Sequence, residues 1–87
     1  MKTHHLKLNE KFCDAVISGD KNFEIRFNDR DYQVGDHVIF QAWGNHFPVD
    51  MNPINSKEYE IIYVLSGWGL KDGYVAFATK EITDEKH

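Results

Sequence analysis

The sequence predicts one α+β domain: a leading strand, a helix and four further strands whose sheet, read as antiparallel, curls toward a small barrel. Three observations predict it. A helical stripe between two capping signals occupies residues 9–19, stretches with period-two or β-branched character recur on both sides of it, and 87 residues at 41 % hydrophobic content suffice for one core and no more. Closing the sheet on itself disposes of exposed edges, with the helix plugging or flanking one end.

His4-His5-Leu6-Lys7-Leu8 reads as a short strand ending at Asn9, a good helix N-cap. From Glu10 to Ser18 the apolar set Phe12, Cys13, Ala15, Val16 and Ile17 covers one broad stripe, and Leu8 and Cys13 occupy the staple positions either side of the cap. Gly19 ends the helix as a C′ residue. Lys21 to Phe27 alternates, placing Phe23, Ile25 and Phe27 on a core-facing side and Asn22, Glu24 and Arg26 on an open, charged side.

Asn28-Asp29-Arg30-Asp31 and Val34-Gly35-Asp36 are turn clusters that lead into a strand over His37 to Trp43. Residues 44–56 hold both prolines and form the longest loop. Lys57 to Leu65 is a long strand, buried partway along. The three glycines in Gly67-Trp68-Gly69-Leu70-Lys71-Asp72-Gly73 mark a tight turn, without the lysine-serine/threonine ending of a phosphate loop, and Tyr74 to Thr79 closes the sheet. Residues 1–80 make the domain; residues 81–87 read as a polar tail.

Ten basic residues against fourteen acidic ones give a net charge of −4, which argues against gripping duplex DNA by blanket phosphate neutralisation. The charge is unevenly spread, residues 1–30 carrying six Lys/Arg against five acids. A lone cysteine, Cys13, permits no internal disulfide and reads as a core residue; no apolar run approaches the ~20 residues of a membrane helix. A cytoplasmic protein without membrane attachment is the expectation. His4 and His5 point to opposite faces, and His37, His46 and His87 lack companion spacing, so no metal and no cofactor are expected.

The chemistry-bearing stretch is Gly19 to Arg26, where a lysine, a carboxylate and an arginine follow a helix-ending glycine. Alternation puts Glu24 and Arg26 on one face; Lys21 has the other parity and joins them only if the regular strand begins after it. Converging, the three would suit a nucleobase edge or a phosphate; spread out, they would be an exposed salt-bridge face of little energetic weight. Arg30 is a further contact or a turn residue paired with Asp29 or Asp31. Trp43 and Trp68 adjoin glycines, where indoles can stack on single-stranded bases or cap the core, and Tyr32 and Tyr74 carry the same two readings.

Gly19-x-Lys21-x-x-Glu24-x-Arg26 resembles the signature of the activating signal cointegrator homology (ASCH) domain, a relative of the PUA fold of RNA-modifying proteins. Asn28-Asp29-Arg30-Asp31-Tyr32-Gln33-Val34-Gly35-Asp36, the opening strand with Phe12 and Ala15 on the helix, and Gly69-Leu70-x-x-Gly73-Tyr74-Val75 look like a small ASCH-like bacterial and phage subfamily. The resemblance leaves out only residues 44–56. It implies a mixed β-barrel of five to six strands with one N-terminal helix, and a cleft for RNA or a nucleotide lined by Lys21, Glu24, Arg26 and Arg30. Some small ASCH proteins hydrolyse N4-acetylcytidine with a lysine, a threonine and a glutamate; this chain matches only the lysine, at Lys21, with Glu24 where the threonine would stand. A carboxylate beside Lys21 stabilises its ammonium, which favours binding over attack.

Three functions follow as expectations. The first is a module binding single-stranded RNA or a modified nucleotide. The second is a small hydrolase of a modified base or of RNA, using Lys21 with Glu24. The third is an accessory protein of a phage or mobile element that binds another protein.

Overall fold

The computed structural model describes residues 1–83. Its elements are β1 (Thr3–Asn9), α1 (Glu10–Ser18), β2 (Phe23–Phe27), β3 (His37–Trp43), a 3-10 helix (Pro53–Ser56), β4 (Glu58–Ser66) and β5 (Tyr74–Glu81). The helix signals act where expected: the Asn9 side chain accepts from the Lys11 amide at 3.0 Å, Gly19 closes the helix at φ 88°, and the staple residues Leu8 and Cys13 are both buried.

The five strands form one curled sheet in the order β1-β3-β4-β5-β2. β1 runs parallel to β3, in register from Thr3 opposite His37 to Asn9 opposite Trp43, and all other pairs are antiparallel. The sheet is therefore mixed, because the chain crosses over through α1 and β2 before returning beside β1. It is also an open half-barrel rather than a closed one: β1 and β2 are its two edges, and they share no backbone ladder.

The core lies inside the curl, where Val38, Phe40, Ile61 and Phe77 meet Cys13 and Val16 of the helix, and each fully buried large side chain contributes about 1.5–3 kcal/mol. Ile54 of the 3-10 helix is also fully buried. Asn55 ties the long loop to β3 and itself by accepting from the Ala42 amide and donating to the Val49 carbonyl, both at 2.8 Å. Tyr32, one of the aromatics considered for an exposed role, belongs to the core, its ring 4.8 Å from those of His4 and Phe77.

The expected faces of β2 are reversed. Glu24 is 5 % exposed, while Phe23, Ile25 and Phe27 point outward. Period-two alternation separates the two sides of a strand without saying which side meets the core, and here the charged side turns inward. β5 also runs further than expected: Glu81 pairs with Tyr59, and its carboxylate accepts from Lys57 Nζ at 3.1 Å. Residues 84–87 of the expected tail lie outside the described residues.

Candidate functional site

Because β2 begins at Phe23, Lys21 stands outside the regular strand and is freed from its parity. Its ammonium turns back to donate to the Phe23 carbonyl at 2.9 Å and to Glu24 Oε2 at 2.5 Å. The other Glu24 oxygen accepts from Arg26 Nε at 3.1 Å and Nη2 at 3.0 Å. Glu24 is thus a buried carboxylate fully engaged by two cations, the arrangement in which a charge survives burial. Arg26 Nη2 reaches further, donating at 2.7 Å to the Lys7 carbonyl on β1 and so spanning the open seam between the two sheet edges.

Two hollows lie along that seam, and Arg26 lines both. The first, about 330 Å³, is walled by His5, Lys7, Arg26, Asp29, Arg30 and Tyr32 together with parts of Leu6 and Phe27. Its cationic side chains are Arg26 of β2 and Arg30 of the following loop, which makes Arg30 part of the constellation, while Lys7 on β1 adds wall but carries its ammonium to the Trp43 ring. The second, about 270 Å³, is walled by Phe12, Lys21, Phe23, Glu24, Ile25 and Arg26 and the ends of Leu8 and Asn9. Here the Lys21 ammonium sits 5.3 Å from the Phe12 ring centre and 5.1 Å from that of Phe23, within cation–π range.

Lys21, Glu24, Arg26 and Arg30 are therefore gathered at one seam, while the two tryptophans are not. Trp43 is half-buried at the end of β3, with the Lys7 ammonium 4.0 Å over its ring. Trp68 is 89 % exposed at the tip of the β4–β5 turn, with a left-handed φ of 53°, and lines neither hollow. The aromatics at the seam are Phe12 and Phe23 in the second hollow, which the sequence places on the apolar stripe and the core-facing side, and Phe27 with the buried Tyr32 in the first. A signal existed in Gly19-to-Arg26 itself: if the charged side of β2 turns inward, its alternate residues must reach the surface beside the charges.

Lys21 spends two donors on Glu24 and Phe23, an arrangement suited to holding a cation in place rather than to presenting a free amine. Among the described residues no group of three His, Cys, Asp or Glu side chains is placed to hold a metal ion, and no helix is long and apolar enough to cross a membrane.

Comparison with known proteins places these features in a wider setting. The model of a family described as a domain of unknown function, DUF3850, matches residues 3–78. A 42-residue stretch is 43 % identical to the uncharacterized 12.9 kDa protein in the GpA 3′ region of Escherichia phage P2, covering 48 % of this chain and 38 % of that protein, well short of its full length. The fold is similar to that in the crystal structure of hypothetical protein PH0355, with a TM-score of 0.62 at 17 % identity over 94 % of this chain and 100 % of the other. At that identity the likeness is one of fold alone.

Proposed function

The chain belongs to the DUF3850 family, and we propose that it is an ASCH-like, PUA-related binding module whose β1–β2 seam takes single-stranded RNA or a modified nucleotide. The observation that carries this reading is the position of Arg26. Held by Glu24, its guanidinium lies between a hollow rich in cationic side chains and a hollow with phenylalanine walls. Arg26 and Arg30 suit a phosphate, whereas Phe12 and Phe23 offer apolar surface to a base, for which stacking contributes about 1–3 kcal/mol. The match of Gly19-x-Lys21-x-x-Glu24-x-Arg26 to the ASCH signature supports the same ligand class. Binding is the better reading than hydrolysis, since the Lys21 ammonium is committed to Glu24 and Phe23.

Fluorescence anisotropy with labelled single-stranded RNA and with free nucleosides tests the proposal. Binding should weaken with salt, because a protein of net charge −4 relies on a local cationic patch. Arg30 is exposed and outside the Glu24 network, so Arg30→Ala should leave the fold intact, weaken RNA binding about tenfold and lower the salt slope by about one. RNA binding that is absent at low salt, or indifferent to Arg30→Ala and Phe12→Ala together, would refute it.

A further inference from the structure

The reversal of β2 leaves the outer surface of the sheet apolar across three strands. Phe23 lies beside Ala78 and Ala78 beside Tyr63; one step along, Ile25 lies beside Ala76 and Ala76 beside Leu65. These two cross-strand rows carry no charge, and Phe27 extends the patch at the end of β2. The large members are well exposed: Phe23 48 %, Ile25 55 %, Phe27 54 % and Tyr63 62 %. This is unusual for a molecule in which 28 % of residues are charged.

We propose that this face is the interface of a symmetric dimer, two copies packing outer sheet against outer sheet. The area supports it. Four large side chains, each about half exposed, offer roughly 400 Å² of the 150–250 Å² that such residues can each bury. With the half-buried Ala76, Ala78, Leu65 and Tyr74 the patch comes to roughly 500–600 Å², at the upper end of patches on monomers and about two thirds of the ~800 Å² per partner of a standard interface, the size of a weak, reversible contact. The charges support it too. Each copy carries a net charge of −4, so a surface that takes another copy must keep charge out of the contact, and this face does. Uncharged rows running across three strands can also meet their own copies about a two-fold axis, as a symmetric dimer requires, and sheets pack face to face about 10 Å apart. The proposal stands without nucleic-acid binding, but Phe23 and Ile25 also line the smaller hollow, so the partner copy reaches its rim and competes with a base for the Phe23 ring.

Sedimentation velocity of the full chain across micromolar to millimolar concentrations tests it, with Ile25→Lys and Tyr63→Lys as variants on different strands. The wild type should show a concentration-dependent monomer–dimer equilibrium that strengthens with salt, as screening relieves repulsion between the two anionic copies, the opposite of the salt response of RNA binding. Each lysine enters the contact twice by symmetry and should raise the dissociation constant at least about 100-fold. Circular-dichroism melting identifies any variant that fails to fold, in which case the other stands alone. A wild type monomeric at millimolar concentration, or a dimer unmoved by a folded variant, would overturn the proposal.

Discussion

Arg26 on β2 donates a 2.7 Å hydrogen bond to the backbone carbonyl of Lys7 on β1, and this side chain bridges sheet edges that no backbone ladder joins. The same guanidinium grips Glu24, so one residue both satisfies a buried carboxylate and fastens the half-barrel. Lysine keeps the charge but has no planar fork with which to serve both partners. Arg26→Lys should therefore cost about 2–3 kcal/mol in urea unfolding and speed amide hydrogen exchange in β2 ahead of β3 and β4. Uniform exchange with unchanged stability would show that the bridge is idle.

Tyr59 presents the opposite case, a buried hydroxyl with no hydrogen-bond partner among the described residues. Burial, aided by the negative charge of Glu81 and then by Cys13, pushes its hydroxyl up to about 12. Removing an unsatisfied buried group while keeping the ring stabilises, so Tyr59→Phe should gain about 1 kcal/mol at neutral pH. Because the folded value is raised above the unfolded one near 10, the wild type keeps its full stability below pH ~10 and loses part of it as pH rises toward 12. The phenylalanine variant should lack that portion of the alkaline loss, which urea midpoints at pH 7, 10 and 11 will measure.

The helix was legible because its signals are local: Asn9, the Leu8–Cys13 staple and Gly19 act within one turn of their own position. Strand positions were legible for the same reason. Pairing was not, since nothing in the residues of β1 and β3 distinguishes a parallel neighbour from an antiparallel one, and the crossover through α1 decides it. At the site, the motif named Lys21, Glu24 and Arg26 but not which way they faced. Phe23 and Ile25 look like core residues by hydropathy; only the burial of Glu24 by two cations, a tertiary matter, turns them outward. The tryptophans drew notice for their chemistry, yet the curl of the sheet brings Phe12 and Phe23 to the seam instead.

A second buried carboxylate gives the fold its acid sensitivity. Burial alone would push the Asp36 carboxyl up, but hydrogen bonds from the His4 ring and from the Lys2 and Gln33 amides, with the His4 charge added, hold it below the ordinary aspartate value. A depressed folded value means that the stabilisation is present above pH ~4 and is lost as pH falls through the folded value. Asp36→Asn should be less stable than wild type by about 1–3 kcal/mol at pH 7, with the gap narrowing steadily below pH 4. A gap that is constant with pH would mean that packing, not ionisation, sets the effect.

Gly73 joins the glycine-rich turn to β5 at φ 84°, and a Cβ added there would stand 2.7 Å from Phe27 Cε1. Two costs are therefore superimposed in Gly73→Ala: the left-handed backbone, about 1–2 kcal/mol, and the contact with the ring. Phe27 is half exposed at the end of an edge strand and can turn aside, so the backbone should account for most of the loss. Asparagine separates the two, because it carries the same Cβ but tolerates positive φ better than alanine. Gly73→Ala should lower the melting midpoint by roughly 4–16 °C, and Gly73→Asn should recover a large part of it. Combining Gly73→Ala with Phe27→Ala should then give a coupling of less than about 0.5 kcal/mol. Equal losses for alanine and asparagine, together with a coupling near the full cost, would instead assign the requirement for glycine to the Phe27 ring.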